Sequence, residues 1–493
     1  MSSIGELEPR AVWRYFQALA AIPRPSEREE GVRAFLIETA RQKGWQSQTD
    51  GAGNVLLRVP ASEGRDKAPI VVLQAHMDMV TIKAPGSSHD FDKDPIRLVL
   101  GEHYGESIVH ADGTTLGADN GMGLCAALAL ADSPDLPHGP LEILATVNEE
   151  SGMSGAHGLD ASMVHGRTLL NLDSEEDDAL YVGCVGGASG WLDWTRALQP
   201  VPADWLTLEI VVDGLRGGHS GLEIHESRGN AILVLARLLQ RLPTGEWRLA
   251  SCSGGSRTNA IPRDARCTVA VSPALESIAG SLAQAIRDEV RVLLGPHGSG
   301  LEIEVLRADV PASEAWNSAD SDAFADATAM LPHGVLAHDE HDPRILETSC
   351  NVALLRETRE NGRFGVEAEI SIRSLRQEKL AEVVAHLERE AKRTGAGFRG
   401  KFRYPPWQPD HDSPLLQTAR TVYEQLFGAA PRVATIHGGL ETGIIGDKIP
   451  GIRMISFGPR IEEPHTPEER VFVRSVAKFW KMLITMADKL SQP

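Results

Sequence analysis

Thr146-Val147-Asn148-Glu149-Glu150-Ser151-Gly152 sets two carboxylates side by side where the apolar run Leu141-Glu142-Ile143-Leu144-Ala145-Thr146-Val147 gives out. That run reads as a buried strand. In an α/β sheet the last residues of such a strand face the crevice in which ligands bind, so Glu149 and Glu150 are expected to point into a site. Adjacent acids repel there unless cations hold them. If one binds a metal and the other keeps a water molecule deprotonated, the pair has the division of labour of a hydrolytic metal site. Alone, a Glu-Glu pair is as readily a solvated loop, and the rest of the chain decides.

Outward from this stretch the pattern repeats. The β-branched run 70–74 leads directly into Ala75-His76-Met77-Asp78-Met79-Val80, and the run 168–172 ends in Asp173-Ser174-Glu175-Glu176. Strands that end in acids or histidine, with helices between them, predict a mostly parallel mixed sheet wound with helices. His76 and Asp78 fall on one side if the strand continues, one to bind metal and the other to orient it. Asp119 lies in the glycine-rich turn 113–121, before a buried helix expected over 122–131. His465 lies in Pro464-His465-Thr466-Pro467, a proline-restrained loop expected to lead into a final helix over 468–490. Two histidines and three carboxylates supply ligands for two divalent ions, and this mixture suits zinc, with manganese or cobalt as substitutes. Ser26-Glu27-Arg28-Glu29 reads as a helix capping box, and 90–112 as a surface hairpin.

With 493 residues, 42% of them hydrophobic, the chain exceeds what one core usually holds, so two domains are expected. A net charge of −19 argues against nucleic acid as a partner. No apolar stretch approaches the ~20 residues of a membrane span. The first residues lack the basic and apolar parts of a secretory signal, and five scattered cysteines suit a reducing, cytoplasmic setting. Around Gly186-Gly187 the character changes. Strands at 206–212, 267–271, 301–306 and 367–372 alternate with amphipathic helices at 230–241, 278–294 and 378–393, as in an α+β insertion. The earlier style resumes near Tyr404. The expected organisation is a catalytic domain from 1–186 and 404–493, with 187–403 inserted as a lid.

His76-Met77-Asp78-Met79-Val80, Gly117-Ala118-Asp119-Asn120-Gly121, Asn148-Glu149-Glu150-Ser151-Gly152, Asn171-Leu172-Asp173-Ser174-Glu175-Glu176 and His465-Thr466-Pro467 together resemble the M20 metallopeptidases and, within them, the bacterial aminoacyl-histidine dipeptidases. The resemblance implies a zinc-peptidase-like catalytic domain with a lid that also mediates a homodimer. It implies a di-zinc centre in which Asp119 bridges the ions, one of them also held by His76 and Asp173 and the other by Glu150 and His465. Glu149 would be the general base, and Asp78 would orient His76.

In the insertion, Gly217-Gly218-His219-Ser220-Gly221 resembles the family's lid motif, so His219 would polarise the scissile carbonyl. Asn259 and Arg373 resemble residues that hold the substrate's C-terminal carboxylate, and an arginine fork suits that group. His437-Gly438-Gly439 resembles a motif lining the cleft, although Thr442 stands where relatives often carry cysteine. The implied activity is metal-dependent hydrolysis of dipeptides with a free N-terminus, Xaa-His dipeptides such as β-alanyl-histidine among them. An N-acyl amino acid deacylase or a carboxypeptidase would use the same metal residues. A silent metal-binding scaffold is the reading outside enzymes, and Glu149 argues against it.

Overall fold

The computed structural model describes residues 4–340, 342–360 and 362–492. The chain forms two compact units. One is built from both ends, up to Cys184 and again from Trp407, and the other runs from Val185 to Pro406 and takes in His437–Gly439.

The first unit carries an eight-stranded mixed sheet in the order Gln46–Thr49, Val55–Val59, Leu141–Thr146, Val71–His76, Thr168–Asn171, Arg453–Ser456, Ala179–Cys184, Arg432–Ile436. The third to sixth of these run parallel. Every residue of Leu141–Thr146, Val71–His76 and Thr168–Asn171 is buried, because helices such as Ala118–Ala131 and Val473–Leu490 and the rest of the unit's core enclose them. Burial on both faces is why these strands read as continuous apolar runs. In the paired registers His76 stands opposite Thr146 and Gln74 opposite Asn171, so the three strands end along one edge. His76, Glu149, Glu150 and Asp173 leave the sheet there, at the carboxyl ends where open α/β sheets bind ligands.

Beyond the last ladder bond the segment 147–148 is held by side chains. Asn54 Oδ1 accepts the Val147 amide at 3.1 Å while its Nδ2 donates to the Gly155 carbonyl, and Glu29 Oε1 accepts the Asn148 amide at 2.9 Å. Asn148 takes a left-handed backbone, φ 53°, which asparagine tolerates better than most residues and which turns the chain into Glu149. The expected capping box is therefore not what Ser26 and Glu29 form. The helix begins at Glu30, Ser26 Oγ donates to Asp78 Oδ2 at 2.8 Å, and Glu29 braces the loop of the glutamate pair. Both side chains are committed to partners at the edge of the sheet and leave the helix start without a side-chain cap.

A four-stranded antiparallel sheet, Ile461–Glu462, Arg470–Phe472, Glu106–Ala111, Leu98–His103, lies in the same unit and includes the expected hairpin. It corrects the C-terminal expectation. His465 sits in the loop of the hairpin formed by its first two strands, and the final helix starts only at Val473.

The second unit has a nine-stranded sheet whose pairs are antiparallel, from Glu302–Arg307 at one edge to Gly397–Tyr404 at the other. Its core joins this sheet to the helices Ala231–Arg241, Pro273–Leu294, Ser318–Ala329 and Gln377–Thr394. In Arg363–Ser374 the buried Val366, Ala368, Ile370 and Ile372 alternate with Glu367, Glu369, Ser371 and Arg373, which places Arg373 on the face away from that core. No helix among the described residues is long and apolar enough to cross a membrane.

Asn54→Ala would orphan the Val147 amide and the Gly155 carbonyl, each at a cost of roughly 1–3 kcal/mol. Urea unfolding is expected to show a loss of that size, with activity falling as the glutamate loop loosens.

Candidate metal centre

His76 is the last residue of its strand and 1% exposed, and its ring is held on both nitrogens. Nδ1 lies 3.3 Å from Asp78 Oδ1, and Nε2 lies 3.0 Å from Asp119 Oδ1 and 3.3 Å from Asp173 Oδ1. His465 mirrors it. Its Nε2 lies 3.2 Å from Asp119 Oδ2 and 3.0 Å from Glu150 Oε1. Asp119 thus directs one oxygen to an imidazole–carboxylate pair, His76 with Asp173, and the other oxygen to a second pair, His465 with Glu150.

The turn before Asp119 makes this possible. Gly117 is left-handed, φ 70°, and Asp119 and Asn120 depart from helical backbone in the first turn of Ala118–Ala131, so the Asp119 carboxylate is presented from a helix start. The Asp119–Asn120 peptide bond is cis.

Asp78 ties the two sides of the centre together. Besides facing His76, its Oδ1 accepts the Glu149 amide at 3.0 Å and its Oδ2 the Glu150 amide at 3.2 Å. Burial alone would raise its pKa, but His76, Ser26 and the Glu149 amide hold it down to about 2, so it stays a carboxylate. The other acids behave differently. Burial, joined by repulsion from Asp173, Glu150 and Glu441, raises Glu149 well above the ordinary range. Burial and the nearby Asp119 raise Glu150 to about 7, and burial raises Asp173 to about 6. For His465 burial works against the charge, yet its bonds to Asp119 and Glu150 lift it to about 11. His76 is likewise raised by the acids around it, against burial, while Asp119 is lowered by the two imidazoles.

This donor set fits divalent cations. Ligands about 2.1 Å from a tetrahedral zinc stand roughly 3.4 Å apart, close to the 3.0–3.3 Å separations within each pair. One donor atom each from His76, Asp119 and Glu150 lies within 4.8 Å of the others, a grouping that crosses the two pairs because Asp119 stands between them.

The second unit gathers its own candidates. Gly218–His219 pairs with Ala260–Ile261, and the Ser220 amide donates to the Asn259 carbonyl at 2.8 Å, which sets His219 beside Asn259. His219 Nδ1 accepts the amides of Gly221 at 3.2 Å and Leu222 at 3.1 Å, so in the neutral ring Nε2 carries the proton. Gly221 lets three groups close on one point, since a Cβ there would stand 2.7 Å from the His437 carbonyl, 3.0 Å from the His219 ring and 3.2 Å from the Arg373 guanidinium. His437 Nε2 is 2.7 Å from Ser349 Oγ, and burial, with Arg373 adding to it, lowers its pKa to about 4. Arg373 Nε is buried without a hydrogen-bond partner among the described residues. Gly438 and Gly439 continue the turn after His437. Thr442 is fully buried in the first unit, its hydroxyl 3.9 Å from Cys184 Sγ.

Three groups at the metal centre are given no individual role by the sequence. Glu441 is fully buried and accepts from Gln74 Nε2 at 2.7 Å and Thr146 Oγ1 at 2.5 Å, directly behind the strand ends, and burial raises its pKa to about 8. Arg24 and Glu469 are also buried, and both hold the backbone of the turn before Asp119. Only Arg24 leaves a trace in the sequence, standing between two prolines in Pro23-Arg24-Pro25.

A mixed sheet whose parallel strands end at or just before His76, Glu150 and Asp173, with His465 reaching the same aspartate from a neighbouring hairpin, is the architecture of a metallopeptidase, and residues 72–489 match the model of peptidase family M20/M25/M40, so the chain belongs to that family. The cytosol non-specific dipeptidase of Escherichia coli (strain K12) is 37% identical over 495 residues, covering 99% of each protein. The aminoacylhistidine dipeptidase from Vibrio alginolyticus matches in structure with a TM-score of 0.87 at 36% identity, over 99% of this chain and 98% of that one. The aminopeptidase PepT from Bacillus cereus shares the fold, with a TM-score of 0.59 at 18% identity over 99% of this chain and all of the other.

At neutral pH the cation-free centre holds protons on both imidazoles and in part on Glu150, and an entering cation must displace them. Apparent Zn²⁺ affinity is therefore expected to rise from pH 6 to 8 with net proton release. Calorimetric titration of chelated protein in two buffers of different ionisation enthalpy measures this, and no release would mean that zinc binds elsewhere.

Proposed function

We propose that the protein is a di-zinc dipeptidase that hydrolyses dipeptides with a free N-terminus, Xaa-His dipeptides such as β-alanyl-histidine among them. The observation that carries the reading is the division of Asp119: its two oxygens serve two imidazole–carboxylate pairs, while Glu149 belongs to neither and remains a partly buried acid beside them. His76, Asp173 and Asp119 would hold one ion and His465, Glu150 and Asp119 the other. Bound there, the cations would supply Lewis acidity to the scissile carbonyl and acidify the attacking water.

Glu149 takes the proton from that water and returns it to the leaving amine, a role that suits a carboxyl whose pKa burial raises above the ordinary range. Asp78 fixes the tautomer and plane of His76 through Nδ1, and through its other contacts anchors the amides of Glu149 and Glu150. His219, with its proton on Nε2, donates to the carbonyl oxygen as negative charge develops. Arg373 and Asn259 bind the substrate's carboxylate, with His437, Gly438 and Gly439 lining the place where the substrate lies. Such a grip one residue from the scissile bond selects dipeptides over longer chains. The reading requires the inserted region 187–403 to act as a lid that brings these groups to the substrate, and it includes dimerisation through that region. Five buried thiols without disulfides suit action in the cytoplasm.

Chelated enzyme is expected to regain cleavage of free-amine dipeptides on adding Zn²⁺, with β-alanyl-histidine among them and tripeptides and N-acetyl amino acids spared. Cleavage of the acetylated substrate alone would overturn the reading in favour of a deacylase. Glu149→Gln is expected to lose roughly 10²–10⁴ in kcat while keeping both ions. For His219→Ala a loss of about 10²–10³ in kcat with zinc retained is expected, and near-normal turnover would remove the oxyanion role.

A further inference from the structure

Glu469 belongs to neither donor pair, yet it lies buried, 2% exposed, in the loop that carries His465. Its carboxylate accepts four consecutive backbone amides: Oε2 takes those of Leu116 at 2.7 Å and Gly117 at 2.9 Å, and Oε1 those of Ala118 at 2.8 Å and Asp119 at 3.3 Å. These four residues are the turn that presents the Asp119 side chain. The same turn is held by Arg24, whose Nη2 donates to the Gly117 carbonyl while Nη1 donates to the carbonyls of Met77 at 3.0 Å and Asp78 at 2.8 Å. A Cβ at residue 117 would collide with the Arg24 guanidinium, so the left-handed glycine serves this contact as well as the turn.

Three segments are therefore stapled together, and each carries part of the metal centre: the end of Val71–His76 with Asp78, the turn 116–119, and the loop between Ile461–Glu462 and Arg470–Phe472. The chemistry of the clamp is costly for a merely structural device. Glu469 adds a further buried acid beside Asp119, where like charges already repel, whereas a neutral side chain could cap a turn without that repulsion. A single carboxylate is the side chain that can accept from four successive amides, because each of its oxygens has two lone pairs.

We propose that Glu469, braced by Arg24, is a positioning residue of the metal centre: it fixes the spacing between His465 and the two oxygens of Asp119, and so determines whether both ions bind. The proposal rests on the two-ion reading above. In Glu469→Gln one oxygen becomes an NH₂ group that faces backbone donors, so the turn must shift while the size of the side chain is kept.

Equilibrium dialysis of chelated wild-type, Glu469→Gln and Glu468→Gln proteins against Zn²⁺, with metal counted per chain, tests it. Wild type and the exposed-site control Glu468→Gln are expected to bind two equivalents. Glu469→Gln is expected to bind one with near wild-type affinity and the other about 10–100-fold more weakly. On the same preparations kcat should fall about tenfold or more at limiting zinc, with KM changed much less, and should partly return as zinc is raised. Two equivalents bound by Glu469→Gln with wild-type affinity would overturn the proposal, even in a protein that melts at lower temperature, since lost stability alone is what a structural carboxylate gives. Wild type that binds fewer than two would instead overturn the two-ion reading. Glu469→Asp, which keeps the charge on a shorter reach, replaces the glutamine variant if that one does not fold, and the same two outcomes decide.

Discussion

Carboxylates crowded out of water at the end of one sheet repel one another, and that repulsion governs the first unit. Two like charges 4 Å apart interact by about 4 kcal/mol at an effective dielectric constant of 20. Asp78, Asp119, Glu149, Glu150, Asp173 and Glu441 all lie at the carboxyl edge of the same strands, and burial pushes most of them toward the neutral form. Without added positive charge the centre is held together by protons on two imidazoles. With divalent cations the same crowding would become a binding site, because the carboxylate donors are already largely withdrawn from water while His465 stands half-exposed at the rim.

The sheet's parallel registers make the crowding unavoidable. Three buried strands end side by side, so whatever follows each of them shares one small volume. A second polar layer lies just beneath, where Gln74, Thr146 and Glu441 are joined by hydrogen bonds and Asn171 donates to Gln74 at 2.5 Å. Each of the three strand residues stands shortly before a candidate site residue at or just past the end of its strand: Gln74 before His76, Thr146 before Glu149, Asn171 before Asp173. Side chains that lock the strand ends to one another also lock the spacing of the donors, which is how a loop-borne carboxylate gains the precision of a strand.

Much of this was legible in the sequence, because strand ends announce themselves: an apolar run that stops at His76, at Glu149 or at Asp173 states both the element and the place where its chemistry begins. The clamps were not legible. Ser26 and Glu29 have the spacing of a helix cap, and local spacing cannot reveal that their partners, Asp78 and Asn148, lie 52 and 119 residues away. Glu469 reads as the second acid of a polar loop, since its partners are backbone amides, which have no sequence signature. The short strands of the His465 hairpin were hidden for a related reason. Arg470–Phe472 has only three residues and runs directly into a helix, so periodicity favours the longer element.

The second unit poses the opposite electrostatic problem. There the charged group is a guanidinium with a buried Nε lacking a partner, beside a histidine kept neutral by burial and a histidine whose Nδ1 is committed to two amides. The guanidinium is the group there that suits an anion. The candidate metal donors and these groups therefore draw on separate cores and separate sheets. On the proposed reading, a substitution that reshapes the surroundings of Arg373 would alter which substrates are held without moving a metal donor.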